Sequence, residues 1–394
     1  MTNTIKMMIK EVQEDVVKWR RHIHANPELS FQEFETAKFI FNELSQFSNL
    51  ELTQLTPNSV IARLKGNKPG KTVALRADID ALPLQEESGV SFCSKKENVM
   101  HACGHDVHTA MLMGAAKVLS QLQDSISGEV LFIFQHAEEV PPGGAQELIQ
   151  KGVLDGVDMI YGLHVWPGAP TGSIFIKPGV FCASTDNFDI KIQGKGGHGS
   201  MPQNSIDSVV IAANLVTSMQ SIISRRIDPT FAPVLTVAKL QAGNSYNVIP
   251  DSAELAGTLR THNKSIREEV PKLLEQTVNG ICSAYGATAK IEWTPGYTVG
   301  INDPKACSIA KEMLENNFKE YTVQSFEHPM FGGEDFSAYL EKVSGAFLMI
   351  GVHSQDKLGD AFNVHHPKFK IDEDAMQVGV SFHVGIINHL LMNK

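Results

Sequence analysis

Apolar residues recur along this chain in two rhythms, one typical of buried strands and the other of helices. Runs rich in β-branched and aromatic residues predict strands at 71–77, 129–135, 157–163 and 346–351. Apolar residues at helical spacing predict helices at 106–121 and 306–318. This alternation of strands and helices is typical of an α/β fold.

The pattern changes near Asp186 and returns to the first type near Pro304. Between these points, four strand-like runs and two helices follow in the order 186–193, 205–223, 232–260 (two runs), 265–285 and 290–293. This order predicts a small α+β insert with two helices on a mostly antiparallel sheet. Because 394 residues exceed the size of a single core, we expect a discontinuous domain, 1–185 and 299–394, interrupted by an inserted domain, 186–298.

Charge and cysteine usage narrow the classes of partner. The formal charge of −10 argues against binding to a nucleic acid. Charges interrupt the apolar residues near the N-terminus and no apolar run approaches membrane-spanning length, so we expect neither a secretory signal nor a membrane span. Five cysteines without paired spacing favour buried thiols in a reducing cytoplasm.

Metal-binding residue types stand at the ends of the predicted elements. Cys103 and His105 flank Gly104 just before the helix 106–121, so both can turn toward one point from a tight loop. The helix dipole at this position favours a thiolate. Thiolate, imidazole and carboxylate ligands suit zinc, manganese, cobalt or nickel.

Further candidate donors follow three predicted strands. Glu138 and Glu139 come after 129–135, and His164 comes after 157–163. In open α/β sheets ligands collect at the carboxyl ends of strands, so we expect these side chains to meet. Neighbours in an extended segment point to opposite sides, so one glutamate would bind metal and the other would address a water molecule. Asp78 or Asp80, after 71–77, would orient a ligand histidine.

Seven motifs in register, spread over nearly the whole chain, resemble the N-acyl-amino-acid amidohydrolases. They are Arg76–Pro83, His101–Asp106, His136–Glu139, Gly196–Pro202, Asn247–Pro250, Phe331–Phe336 and His365–Pro367. Hippurate hydrolases and plant indole-acetyl-amino-acid hydrolases share this pattern, which belongs to a branch of the dinuclear-metal aminoacylase and carboxypeptidase superfamily. The resemblance implies a metallopeptidase-type domain with a mixed central sheet flanked by helices, and a ferredoxin-like inserted domain.

The resemblance also implies a metal centre. It implies two divalent ions per subunit, Mn²⁺ or Zn²⁺ with Co²⁺ or Ni²⁺ as alternatives, bridged by Cys103. The implied ligands are Cys103, His105, Glu139, His164 and His365.

Other residues acquire roles from the same likeness. Glu138 would be the general base, Asp80 would support the metal cluster, and His198 would stabilise the oxyanion. Because His198 lies in the insert, either domain closure or a neighbouring subunit must complete the site. Arg260, with Asn247, is the candidate for binding a substrate carboxylate, and Glu334 is expected to line the same cleft.

The expected activity is hydrolysis of the amide bond of small N-acyl amino acids by a cytoplasmic homodimer that associates through the insert. One alternative is an exopeptidase of the dipeptidase or carboxypeptidase type. Another is a catalytically silent binding protein that keeps its metal, although a purely structural metal site needs no spare base such as Glu138.

Overall fold

Two hydrophobic cores divide the chain in the computed structural model, which describes residues 1–392. The first unit comprises Met1–Phe181, Ile301–His328 and the chain from Asp335 onward. The second unit comprises Cys182–Gly300 and the short segment Pro329–Glu334. The predicted insert 186–298 thus falls inside the second unit. This unit also includes Pro329–Glu334, which follows the insert by about thirty residues in the sequence.

The helices of the chain are α1 (Asn3–Glu11), α2 (Gln13–Ala25), α3 (Phe34–Leu44), α4 (His105–Ser120), α5 (Gly144–Gln150), α6 (Ser208–Arg226), α7 (Lys264–Ala284), α8 (Pro304–Asn317), α9 (Phe336–Leu340) and α10 (Met376–Ile387). The strands are β1 (Leu50–Thr53), β2 (Val60–Lys65), β3 (Lys68–Asp78), β4 (Ser127–Gln135), β5 (Met159–Pro170), β6 (Ser173–Phe175), β7 (Gly179–Cys182), β8 (Ser184–Gln193), β9 (Gly197–His198), β10 (Val234–Ala242), β11 (Val248–Ile249), β12 (Ser252–Thr261), β13 (Thr288–Pro295), β14 (Gly300–Asn302), β15 (Thr322–Gln324) and β16 (Ser344–His353).

A mixed eight-stranded sheet, in the order β1-β2-β4-β3-β5-β16-β6-β15, forms the centre of the first unit. Strands β4, β3, β5 and β16 are parallel, whereas β1, β2 and β4 pair antiparallel. The parallel strands are almost continuous apolar runs because both of their faces are covered. Their carboxyl ends meet at one edge, so Asp80 and Glu138, which follow β3 and β4, lie at that edge.

His164 differs from expectation, because it lies within a strand instead of at its end. Strand β5 runs on to Pro170, but its pairing with β3 stops at Gly162, opposite Arg76. His164 therefore extends past the end of the neighbouring strand, and its side chain still reaches the carboxyl edge of the sheet.

Helices α4 and α10 pack closely in the core of the first unit. A Cβ atom at Gly379 of α10 would lie 2.1 Å from the sulfur of Met111 in α4, so a larger residue there would displace the Met111 side chain. The helical run Glu373–Met392 that contains α10 is long and apolar enough to cross a membrane, contrary to the sequence expectation. Because 78% of its apolar window is buried, its composition fits a core helix of the first unit.

The second unit is built from one antiparallel sheet and two helices. Its strands are ordered β10-β12-β8-β13, and the chain visits β8, α6, β10, β12, α7 and β13 in turn. This is the ferredoxin-like arrangement. Both helices contribute to one core, through residues such as Leu215 and Leu274. Strand β10 is an edge strand, and β9 pairs separately with β11.

All five cysteines are free thiols. Cys182, Cys282 and Cys307 are buried as expected, but Cys93 is exposed, so the prediction of a buried thiol there is wrong. Cys93 lies in a loop with no strand or helix of its own, and no packed face covers it.

A buried ion network anchors the N-terminus of α4. The carboxylate of Asp106 lies 2.8 Å from Arg20 Nε and 2.8 Å from His24 Nδ1. Burial alone would raise the pKa of Asp106, but Arg20 and His24 hold it well below its usual range. This network fixes the helix turn that begins with His105.

We expect Asp106→Asn to lower the free energy of unfolding by about 3–5 kcal/mol at neutral pH, because it leaves buried charge uncompensated. The folded carboxyl group stays ionised below the unfolded pKa of about 3.9. The wild-type advantage should therefore be complete above this value and shrink as the pH falls further. Urea unfolding from pH 7 to pH 3 measures it. Glu35→Gln, at an exposed pair with Lys38, is the control, and an equal effect of both substitutions would refute the role of the network.

Candidate active site

Gly104 allows Cys103 and His105 to face the same point. Its φ of +90° lies in the left-handed region, and a Cβ there would lie 2.5 Å from Val165 Cγ2. Both neighbouring side chains are buried, and Cys103 Sγ lies 3.3 Å from His164 Nε2. Donor atoms of Cys103, His105 and His164 all lie within 4.8 Å of one another.

Asp80 orients His105 from behind. Its Oδ1 lies 3.0 Å from His105 Nδ1, and its Oδ2 accepts hydrogen bonds from Ser30 Oγ at 2.7 Å and from the Glu139 amide at 3.0 Å. With its Nδ1 proton on this carboxylate, His105 presents the lone pair of Nε2. That atom has no hydrogen-bond partner in the described chain. Of the two aspartates left open by the sequence, geometry assigns this position to Asp80.

The glutamates leave β4 through a turn, so the expected alternation of Glu138 and Glu139 is wrong. Ala137 has a φ of +51°, which breaks the extended backbone just before them. Glu138 Oε2 lies 4.0 Å and Glu139 Oε1 lies 3.9 Å from His105 Nε2. Both carboxylates therefore face the same side as the histidine, and the turn is the physical reason.

His164 is fixed by its own backbone and by His108. Its Nδ1 lies 2.8 Å from the Val165 carbonyl oxygen, which leaves Nε2 free of a proton and turned to Cys103. Burial lowers the pKa of His164 well below its usual range, so the ring is neutral, as a metal ligand must be. His108 accepts the Val165 amide at 3.0 Å, and its other nitrogen lies 2.6 Å from Asp78.

His365 comes from the last part of the chain. Its amide donates to the Ala102 carbonyl at 2.7 Å, and its φ is +64°. His365 Nε2 lies 3.2 Å from Glu139 Oε1, and Cys103, Glu139 and His365 form a second compact group of donors. Cys103 belongs to both of these groups.

The electrostatics of the site fit cations. Burial lowers the pKa of His105, yet the carboxylates of Asp78, Asp80 and Glu139 together raise it to about 10. Burial and the carboxylates of Glu139, Glu138 and Asp78 raise the pKa of Cys103 well above its usual range. The expected stabilisation of a thiolate by the helix dipole is thus outweighed. A field that holds protons this firmly favours divalent cations at the same place.

Asp335 is buried and supports the turn after β4 that carries Glu138. It is buried against Arg76 Nη2 at 2.6 Å, Gln135 Nε2 at 2.6 Å and the Ala145 amide at 3.0 Å. Its own amide lies 3.4 Å from Glu138 Oε1. Glu334, its neighbour in sequence, belongs to the second unit.

Within the second unit, His198 and Asn247 lie on adjacent segments. His198 pairs with Val248, and the Gly199 amide donates to the Asn247 carbonyl at 2.8 Å. His198 is exposed, and its Nδ1 accepts the Ser200 amide at 3.2 Å. The ring proton therefore sits on Nε2, which makes that atom a hydrogen-bond donor.

Arg260 does not lie with Asn247. Seven residues of β12 lie between Ser252 and Arg260, and these eight residue steps amount to about 26 Å of strand. Asn247 precedes that strand, so these two residues of one chain cannot bind the same carboxylate. Asp186 forms a bidentate pair with Arg267 at 2.8 Å, whereas Arg260 donates to the Leu259 carbonyl at 3.3 Å.

Sequence reasoning missed two residues that shape the site. His108 follows His105 by three positions, which places both on one side of α4 and is a usable signal. Glu33, which accepts the Ala137 amide at 2.7 Å, gave no signal, because about a hundred positions separate the two residues.

Fold and donor set together define a metallopeptidase-type hydrolase. Peptidase family M20/M25/M40 matches residues 74–389, and the chain belongs to this family. The resemblance inferred from the motifs is therefore confirmed.

Individual relatives extend this result. The chain is 51% identical over 298 residues to the N-acyl-L-amino acid amidohydrolase of Geobacillus stearothermophilus, covering 76% of this chain and 80% of that protein. It is 39% identical over 382 residues to thermostable carboxypeptidase 2 of Saccharolobus solfataricus, covering 96% of each. A Bacillus subtilis crystal structure, described as a dinuclear metal-binding peptidase, superimposes with a TM-score of 0.82 at 37% identity, covering 96% of this chain and 98% of that one. The predicted fold class is confirmed.

We expect Asp80→Asn to weaken metal binding by about 10–100-fold, because the orientation and basicity of His105 depend on this carboxylate. Competition between the purified protein and a chelator of known affinity measures the change. Asp303→Asn, which alters a carboxylate at the start of α8 that accepts the Lys305 amide, should leave metal affinity unchanged. Equal affinity of the Asp80→Asn variant and the wild type would contradict the role of Asp80.

Proposed function

We propose that this protein is a metal-dependent amidohydrolase that cleaves the amide bond of N-acyl amino acids. The observation that carries the proposal is the position of Glu138, a buried carboxylate that lies 4.0 Å from His105 Nε2 and is not one of the five proposed ligands. A metal-containing binding protein would have no use for this extra acid. The name of the Geobacillus stearothermophilus relative supports the class of substrate.

The donor residues fit two divalent ions. Cys103, His105, Glu139, His164 and His365 would hold them, with Cys103 shared, and Zn²⁺ or Mn²⁺ are the first candidates. When bound, such ions polarise the scissile carbonyl and lower the pKa of a water molecule toward neutrality.

The chain's own residues then move the protons and bind the charge. Glu138 accepts a proton from the attacking water and delivers it to the departing amine nitrogen. His198, with its proton on Nε2, donates a hydrogen bond to the oxygen that becomes negative. Arg260 binds the free carboxylate of the substrate through its planar guanidinium.

A carboxypeptidase-type exopeptidase is the second candidate. The name of the Saccharolobus solfataricus relative favours it, and a carboxylate-binding arginine would serve a dipeptide equally well. The two candidates differ in the acyl group of the bond that is cleaved. An N-acyl amino acid carries a simple acid there, whereas a dipeptide carries an amino acid.

We expect acetyl and benzoyl amino acids to be hydrolysed faster than dipeptides with the same carboxyl-terminal residue. Glu138→Gln should keep the full metal content but lose about 10²–10⁴ in kcat, because only the general base is removed. Amine release from both substrate sets, with metal analysis on the same samples, measures this. Faster turnover of dipeptides would favour the exopeptidase, and unchanged activity of Glu138→Gln would refute the base.

We also propose a homodimer that forms through the second unit. Edge strand β10 leaves backbone groups without a neighbouring strand and exposes Val234 and Leu240, which are 43% and 47% accessible. The separation of Asn247 from Arg260 supports the same assembly, since a second copy of Asn247 could join Arg260 where the first cannot.

We expect Leu240→Asp to convert the dimer into a monomer and to lower kcat/KM, because the charge opposes burial of the edge. Light scattering after size-exclusion chromatography gives the mass. Lys191→Asp, on the exposed face of the inner strand β8, is the control and should remain dimeric. A monomeric wild type would refute this assembly.

A further inference from the structure

The turn that carries Glu138 and Glu139 is held by a buried carboxylate from a distant part of the chain. Glu33 Oε1 accepts the Ala137 amide at 2.7 Å. Asp80 accepts the Glu139 amide, and the Ala137 carbonyl accepts the Gly144 amide at 3.1 Å. Two carboxylates therefore fix alternate amides of one three-residue segment, and only Asp80 also contacts a candidate metal ligand through its side chain.

Ala137 needs such support. Its φ of +51° is in the left-handed region, which is unfavourable for an L-residue. The two residues that follow it are the proposed base and a proposed ligand. If Ala137 returned to an ordinary conformation, the chain direction after β4 would change and both carboxylates would move.

Glu33 is itself held rigidly. Its side chain is fully buried, and its Oε2 accepts a hydrogen bond from Asn58 Nδ2 at 2.8 Å. Burial, with the nearby charge of Asp80, raises the pKa of Glu33 to about 7.

We propose that Glu33 is a positioning residue of the hydrolytic site: by binding the Ala137 amide, it holds the left-handed turn that aims Glu138 and Glu139. The role in catalysis rests on the proposed function, whereas the role in placing Glu139 concerns metal binding alone. Because one oxygen of Glu33 accepts the Ala137 amide and the other accepts the Asn58 side-chain amide, the carboxyl group is fixed from both sides.

We expect Glu33→Ala to lower kcat at least about tenfold, which is part of the roughly 10²–10⁴-fold that a general base contributes, while KM changes less than about threefold. Glu33→Gln, which keeps a neutral acceptor, should lie between this variant and the wild type. In the metal-free protein titrated with Co²⁺ alone, Glu33→Ala should bind more weakly and show an altered visible spectrum, because Glu139 is displaced. Steady-state kinetics and Co²⁺ absorption measure these effects.

Glu28→Ala is the matched control. Glu28 is another buried carboxylate of the same region, but its side chain accepts the Thr36 amide at 2.8 Å and does not contact the Ala137 turn. Glu28→Ala should reduce the melting temperature, because a buried hydrogen bond is lost. It should leave kcat and the Co²⁺ spectrum within about twofold of the wild type, because the Ala137 turn is not affected. Equal losses of kcat in both variants would show a merely structural role and overturn the proposal.

A second comparison tests the turn directly and remains usable if Glu33→Ala alone does not fold. Glycine adopts the left-handed conformation without penalty, so Ala137→Gly should make the turn less dependent on Glu33. In the Ala137→Gly background, Glu33→Ala should lower kcat by less than half the factor that it does with the native Ala137. If Glu33→Ala alone does not fold, the expected loss of kcat in the Ala137→Gly background is less than about tenfold. A cost as large as with alanine would refute the mechanism. A wild type inactive on every acyl amino acid refutes the proposed function, and the Co²⁺ measurements then decide the positioning of Glu139.

Discussion

The concentration of carboxylates at one sheet edge is the constraint on which the first unit depends. Asp78, Asp80 and Glu138 are buried there, with Glu139 beside them, and burying several like charges together is costly without compensation. Arg76 offsets part of this charge through Asp78 and Asp335. The remaining negative charge lies beside Nε2 of His105 and the thiol of Cys103. Divalent cations bound there would neutralise it.

Around this edge, the three histidines among the proposed metal ligands are each oriented by a group outside that set. Asp80 fixes His105, the Val165 carbonyl fixes His164, and the Ala102 carbonyl fixes the backbone of His365. Three of the six non-glycine residues with positive φ in the described chain, Phe31, Ala137 and His365, lie in segments that contact these groups. Such strain persists only where surrounding contacts determine the conformation, and it is common in functional sites. The precision of the site therefore comes from its supports as much as from the donors.

The sequence predicts what depends on local periodicity and misses what depends on distant contacts. The four parallel strands, the helix after Cys103 and the order of the ferredoxin-like unit follow from hydrophobic spacing. Choosing Asp80 over Asp78 requires knowing which carboxylate reaches His105. Hydrophobic spacing does not contain this information. The turn at Ala137 is invisible for the same reason, since an alanine carries no local signal for a left-handed backbone. The separation of Asn247 from Arg260 likewise depends on the direction of β12, which overrides their closeness in the chain.

The discontinuity of the first unit has a consequence for synthesis on the ribosome. Cys103, His105, Glu139 and His164 emerge early, but His365 follows only after the whole second unit has been translated. A nascent chain can thus gather an incomplete set of donors, including a reactive thiol, long before the last imidazole arrives. The second unit, whose elements are contiguous apart from Pro329–Glu334, has most of its sheet available to fold during that interval. Full occupancy of the proposed metal centre would therefore require the finished polypeptide.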